Sequence, residues 1–266
     1  MYSIVIPAYN ESKRLGPTLD KILAFVAAQK WETRIFVVND GSKDDTAELV
    51  NSYSKNHPHV LLLQNPGNRG KGYSVKHGML HASGDIVLMT DADLSSPIED
   101  CTRLFRTIES GICDVAIGSR WIDPSLQTIR QPWFRQIGGR GLNLLIRAIL
   151  GLGFKDTQCG FKAFSSRAAE TLFPLQHVDR WGFDPELLFL AERLGFVTEE
   201  VGVHCANDER TKLRPFRDAF AILQDTVQVR RNALAGKYDR RRAVTAAAAS
   251  GLGSAASPET QTTTLK

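Results

Sequence analysis

Ile86-Val87-Leu88-Met89-Thr90-Asp91-Ala92-Asp93 is an apolar run that stops at two carboxylates spaced i, i+2. A short Val/Ile/Leu run bounded by polar residues predicts a strand buried on both faces, as in a parallel sheet. Ligands of open α/β sheets collect beyond the carboxyl ends of the strands, and Asp91 and Asp93 stand at that end. Two close carboxylates repel each other and attract a hard divalent cation, whose remaining oxygen ligands are shared with a bound phosphate. Asp-x-Asp by itself is common in solvated turns. Its weight here comes from the strand that delivers it and from other stretches that converge on the same chemistry.

Upstream, Ser3 to Pro7 predicts a first strand that ends in Pro7-Ala8-Tyr9-Asn10-Glu11. Leu15, Leu19, Ile22, Leu23 and Val26 then recur at helical spacing up to Gln29. Thr33 to Asn39 predicts a second strand ending at Asn39-Asp40-Gly41-Ser42. Ser42 and Asp45 form a weak capping-box pattern. Asp40, at a strand tip, suits either a cap or hydrogen bonds from a base or ribose. Val60 to Gln64 is the third strand, and Asn68-Arg69-Gly70-Lys71-Gly72 opens a helix through Val75, Met79 and Leu80. Glycines with a lysine at a helix start suit an anion. The spacing is not that of a Walker loop, and no G-x-G-x-x-G follows the first strand, which argues against a dinucleotide dehydrogenase. Four βα units with three polar strand tips make an α/β nucleotide-binding half.

The 266 residues, 42% hydrophobic and 23% charged, are those of an ordinary globular chain large enough for a sizeable core. Net charge is +4, with much of the excess after residue 209. Met1-Tyr2-Ser3 leads directly into the first strand, so no leader is expected, and no run reaches the ~18 apolar residues of a spanning helix. Cys101, Cys113, Cys159 and Cys205 lack metal spacing and read as idle thiols of a reducing cytosol. A cytoplasmic location follows, free or on the cytoplasmic face of a membrane.

Downstream, Ser95-Ser96-Pro97 predicts a helix start, and Val115 to Gly118 a fifth strand ending at Ser119-Arg120. Trp121 to Arg140 then combines Trp121 and Trp133 with Arg130, Arg135 and Arg140. Arginines beside tryptophan at a strand end favour phosphate binding over a merely solvated loop. Leu142 to Leu152 predicts an apolar helix, and 156–164 a turn into a strand. Arg180-Trp181-Gly182-Phe183-Asp184-Pro185-Glu186 opens a helix, with Asp184 placed as its N-cap and Glu186 favouring its dipole. Val197 to His204 is a last strand. Between Arg210 and Lys237, Phe216, Phe220, Leu223 and Val227 recur on one face, among Arg217, Arg230 and Arg231. That helix either packs on the domain or lies on an anionic membrane. The Ala/Ser/Thr/Gly-rich tail after Arg242 predicts disorder. The expected organisation is 1–209 as catalytic domain, 210–242 as basic amphipathic helix and 243–266 as tail. No base-reading motif supports nucleic-acid binding.

The order Pro-Ala-Tyr-Asn-Glu, Asn-Asp-Gly-Ser, Asn-x-Gly-Lys-Gly and Asp-Ala-Asp resembles the inverting family 2 glycosyltransferases of GT-A fold, over residues 3 to about 235. Gly-Ser-Arg at 118–120, Asp-Thr-Gln-Cys-Gly-Phe-Lys at 156–162 and Arg-Trp-x-Phe-Asp-x-Glu at 180–186 are similar to the dolichyl-phosphate glucosyltransferases and their bacterial polyprenyl-phosphate relatives. The resemblance implies transfer of a hexose from a nucleotide sugar, UDP-glucose as first expectation, to a polyprenyl phosphate. It implies that Pro7, Tyr9, Glu11 and Asp40 hold uridine, with Lys71 near the base or phosphates. Asp91, Ala92 and Asp93 would lie on the nucleotide sugar, the two carboxylates holding Mg²⁺ or Mn²⁺. Arg120 and Arg135 would hold the acceptor phosphate. Ser95 stands where related mannosyl enzymes carry Gln, and Gly139 where some relatives carry Ser. The alternatives are a soluble family 2 enzyme with a hydroxyl acceptor, for which Asp184 or Glu186 would be the base, and a non-catalytic nucleotide-sugar or lipid-binding protein.

Overall fold

The computed structural model describes residues 1–127, 133–205 and 215–239; the side chains at 124, 133–137, 215 and 216, and the tail expected at 243–266, lie outside the described residues. Among the described residues, seven strands form one mixed sheet in the order β3-β2-β1-β4-β6-β5-β7. The first four are β1 (Tyr2–Ala8), β2 (Thr33–Asn39), β3 (Val60–Gln64) and β4 (Ile86–Met89), all parallel, as their Val/Ile/Leu runs predict. β6 (Lys162–Ser165) then runs antiparallel between β4 and β5 (Val115–Ser119), and β7 (Thr198–Gly202) closes the edge parallel to β5.

Alternation along the strands feeds two cores. Ile4, Ile6, Ile35, Val37, Ile86 and Leu88 face α1 (Ser12–Gln29), α2 (Thr46–Asn56) and α4 (Cys101–Glu109). Val5, Phe36, Val38, Val87 and Met89 face α3 (Lys71–His81), α5 (Trp133–Leu150), α6 (Ser166–Leu175), α7 (Phe183–Arg193) and α8 (Pro215–Leu234). A period of two sends successive side chains to opposite faces. α3 comes so close to the sheet that a Cβ on Gly78 would lie 2.4 Å from a Val5 methyl, and only glycine fits.

Several local expectations are corrected. Ser42 and Asp45 form no capping box: Asp45 precedes α2 without a side-chain cap, while Asp44 accepts from the Thr46 amide and hydroxyl and from Ser12. The Ser42 hydroxyl accepts from the Asn10 amide, tying the β1 and β2 tips together. Ser95-Ser96-Pro97 leads into a 3₁₀ turn, Ile98–Asp100, before α4. α5 begins nine residues earlier than predicted, through Gly138, Gly139 and Gly141, residues that read locally as loop. Helix α6 had no counterpart in the sequence reading; the Ser165 hydroxyl caps it by accepting from the Ala168 amide.

Candidate active site

The chain runs β1, β2, β3 toward one edge and then returns to place β4 on the other side of β1. That reversal opens a crevice at the carboxyl ends of β1 and β4, where such sheets bind ligands. The crevice receives Pro7, Tyr9 and Glu11 from β1 and Asp91, Ala92 and Asp93 from β4.

Arg14, in the first turn of α1, joins the two tips. Its Nε and Nη2 each donate to the Glu11 carboxylate at 2.7 Å, and its Nη1 lies 3.6 Å from Asp93 Oδ2. Asp93 Oδ1 accepts from the Ser95 amide at 3.0 Å. Burial, and then the Asp91 charge, push the Asp93 carboxyl upward despite Arg14 and Lys71. The Ala92 carbonyl accepts from the Thr18 hydroxyl at 2.7 Å, fixing the turn between the acids to α1.

Lys71 Nζ sits 2.5 Å from Asp91 Oδ1, with the rings of Trp181 and Phe183 at 5.5 and 6.0 Å. Burial opposes its charge, but the carboxylates of Asp91 and Asp184 prevail and hold its pKa above the ordinary value. The anion site expected at the start of α3 is corrected by this geometry. The Gly72 and Tyr73 amides are occupied by the carbonyls of Arg180 and Asp179, so Lys71 alone faces the crevice. Asp40 is 4% exposed, and its carboxylate accepts from Asn65 Nδ2 and from the Arg69 and Gly70 amides, each at 2.8 Å. It shapes the loop that carries Lys71.

The other wall is the segment 156–162. Arg120, following β5, donates Nε and Nη2 to the two oxygens of buried Asp156 at 2.7 and 2.8 Å. The Asp156 charge outweighs burial and raises the Arg120 pKa still further. The Thr157 amide and hydroxyl donate to Asn143 on α5. Gly160 lies directly on Asp91: a Cβ there would stand 2.5 Å from Oδ2. The segment 156–160 therefore holds Arg120 through Asp156 at one end and touches Asp91 through Gly160 at the other.

Asp184 is not the N-cap of α7. The helix is preceded by Gly182, and Asp184 points inward to Lys162 Nζ, which also donates to the Cys159 carbonyl. Lys162 and Asp184 are both buried. Burial pushes the Asp184 carboxyl up, against Lys162 and Lys71. Glu186 is wholly buried; it accepts from the His177 and Val178 amides and from the Tyr238 hydroxyl, and none of these contacts reaches the carboxylate pair. The Arg135 side chain lies outside the described residues. Arg14, Asp156, Gly160 and Lys162 are the site residues that sequence reasoning did not single out. Among them, only the Asp-Thr-Gln-Cys-Gly-Phe-Lys stretch carried a signal, through its resemblance.

The family model for glycosyl transferase family 2 matches residues 3–173, well over half the chain, and these residues span every strand of the crevice. The chain belongs to glycosyl transferase family 2. Curated relatives are dolichyl-phosphate beta-glucosyltransferases. One from Trichomonas vaginalis is 42% identical over 76% of this chain and 62% of its own length. That from Dictyostelium discoideum is 36% identical over 88% and 75%, and the human protein 31% over 89% and 76%. The chain thus spans just under two thirds of the Trichomonas protein. In fold it is similar to Mycobacterium tuberculosis glucosyl-3-phosphoglycerate synthase, solved with Mn²⁺, UDP-glucose and phosphoglyceric acid, with TM-score 0.61 and 20% identity over 86% of this chain and 78% of that one. The family 2 resemblance and the GT-A α/β expectation therefore hold, and the protein is a glycosyltransferase.

Proposed function

We propose that this glycosyltransferase moves glucose from UDP-glucose to a polyprenyl phosphate, inverting the configuration at C1. The observation that carries the reading is that one segment, 156–160, joins the two sides: Gly160 rests on Asp91 of the β4 tip, and Asp156 holds Arg120. The relatives named as dolichyl-phosphate beta-glucosyltransferases support both the sugar and the acceptor class.

In this reading the acceptor phosphate oxygen attacks C1, the C1–O bond to UDP breaks, and UDP leaves with the electron pair. A phosphate oxygen is already anionic at neutral pH, so no strong base is needed. The engagement of Asp184 with Lys162 and the burial of Glu186 agree with that and disfavour the hydroxyl-acceptor alternative. Pro7, Tyr9 and Glu11 line the uridine side, Glu11 being oriented by Arg14. Asp40 acts through the loop that aims Lys71 at the phosphates. Arg120 lines the acceptor side; the role expected of Arg135 falls on a side chain outside the described residues.

The acidic pair fits a divalent metal. The Asp91 charge helps push the Asp93 carboxyl up, both side chains remain partly open, at 28% and 25% exposure, and their oxygens suit Mg²⁺ or Mn²⁺. Asp91 and Asp93 would hold such an ion, which would stabilise negative charge on the leaving diphosphate. Solved fold neighbours hold Mn²⁺ or Mg²⁺ with UDP, which supports the same class of ion here.

No helix among the described residues is long and apolar enough to cross a membrane. The acceptor would be met at a surface, and α8 offers one. Ile222, Thr226 and Val229 pack inward, leaving Phe220 (62% exposed), Val227 and Leu234 (80% exposed) outward beside Arg217, Arg230 and Arg231.

Purified protein given UDP-glucose, Mn²⁺ and undecaprenyl phosphate in micelles should form glucosyl lipid, and Asp93→Ala should lower turnover by about 10³-fold or more. Undiminished transfer by the variant would remove the carboxylate pair from the mechanism.

A further inference from the structure

Arg120 was expected to meet the acceptor phosphate, yet its charge is matched two-pronged by the buried Asp156, while the Arg120 side chain itself stays 31% exposed. A guanidinium so neutralised offers shape and a remaining N–H edge, but little net attraction for an anion. A cation without a carboxylate partner among the described residues lies further out. Arg140, on the exposed side of α5, sets its guanidinium carbon 4.8 Å from the centroid of the Trp121 ring, and Arg120 approaches the same ring at 6.0 Å. Among the described residues no carboxylate pairs with Arg140. An aromatic face orients a guanidinium without cancelling its charge. Among the described residues, Cβ atoms built on the neighbouring Gly138, Gly139 and Gly141 would meet nothing within 4 Å.

We propose that Arg140, seated on Trp121, is the cation that receives the acceptor's phosphate monoester, with the Arg120–Asp156 pair as the fixed inner wall behind it. This assignment rests on the acceptor reading above and names the residue that supplies its charge. Leu144 (63% exposed) and Leu145 (51% exposed) follow Arg140 by one turn of the same helix. A prenyl chain leaving the phosphate would find its apolar surface there, so the lipid-borne phosphate is the favoured source of the monoester.

The test is steady-state transfer from UDP-glucose by the full chain, with undecaprenyl phosphate in micelles and glycerol 3-phosphate in solution as separate acceptors. Arg140→Ala should raise the KM for the lipid acceptor by about ten-fold or more, Arg140→Lys should recover part of it, and the KM for UDP-glucose should stay within about two-fold. Trp121→Ala should fall between them. Because the ion pair is exposed, the acceptor KM of the parent protein should rise with added salt, and that of Arg140→Ala should rise less. Arg140 is exposed and its variant should keep the parent melting temperature, so loss of fold is separable from loss of contact.

An unchanged lipid KM in Arg140→Ala, with the parent active, overturns this assignment and leaves the acceptor reading standing. Transfer to glycerol 3-phosphate alone, with the same dependence on Arg140, keeps the phosphate contact and overturns the prenyl seat. Transfer by the parent to neither phosphate, with UDP released to a hydroxyl acceptor, overturns both.

Discussion

Single contacts at the β4 tip decide how Asp91 is presented. One of its oxygens is held by Lys71 and the other rests against Gly160. Gly160 is glycine because of the carboxylate it touches, since a methyl there would stand 2.5 Å from Oδ2 with nowhere to go on a wall fixed by Asp156, Thr157 and Lys162. Gly160→Ala should therefore displace the Asp91 carboxylate. We expect kcat/KM to fall by about ten-fold to a hundred-fold, a barrier increase of roughly 1.4–2.7 kcal/mol, and Mn²⁺ titrated calorimetrically in the presence of UDP to bind more weakly. Equal Mn²⁺ affinity in the variant would show that Asp91 does not depend on this contact. At this scale the sequence was read unevenly. Asp91 and Asp93 were legible because a buried strand delivers them. Gly160 and Lys162 were not assigned roles, because those roles come from β6 lying between β4 and β5, a pairing that no local pattern encodes. Asp184 was misread as a cap because Asp-Pro at a helix start is the usual signature of one; its inward turn depends on a buried lysine 22 residues earlier in the chain.

Among elements, α7 and α8 carry the most informative tension. Glu186 on α7 gathers the Tyr238 hydroxyl and two backbone amides, so one carboxyl holds the chain beyond α8 against the domain. Burial pushes its pKa from 4.5 up to about 7, although the three donors and Lys76 pull the other way. The folded pKa lies above the unfolded one, so this group's contribution is in full below pH 4.5 and is lost as pH rises through 7. The melting temperature should fall between pH 5 and pH 8, by the equivalent of about 3 kcal/mol at most. Glu186→Gln should be less stable throughout, because its amide faces the Val178 amide, but should lack this part of the slope. A variant slope equal to the parent's would exclude Glu186 as its source. α8 itself was legible as amphipathic, yet the predicted face of Phe220 and Val227 is the one left outside. The core instead takes Ile222, Thr226 and Val229. Helical spacing identifies stripes but does not say which one the domain covers. Phe220→Glu with Leu234→Glu should leave the melting temperature within about 2 °C and weaken sedimentation with vesicles containing anionic lipid. Vesicle binding equal to the parent's would assign the outward stripe another role.

Across the whole molecule, a parallel half and an antiparallel insertion meet over one crevice. The parallel half, β3-β2-β1-β4, was readable strand by strand, because each strand is a short Val/Ile/Leu run ending in polar residues. It brings the acids and the nucleotide-side residues together at the point where strand order reverses. The second half, with β6 and β5, brings Arg120 and its partner Asp156, and there the chain order says little about who meets whom. In the proposed reading, donor-side and acceptor-side chemistry fall on two parts of one sheet, and a phosphate nucleophile accounts for carboxylates suited to a cation with no free base between them among the described residues. The most direct test is the partition of label from radiolabelled UDP-glucose into butanol-extractable undecaprenyl or dolichyl phosphate with Mg²⁺ or Mn²⁺, with GDP-mannose run in parallel. The account predicts label in the organic phase from UDP-glucose only, lost in Asp93→Ala. Label from GDP-mannose alone, or UDP release with a soluble hydroxyl acceptor and no lipid product, would contradict it.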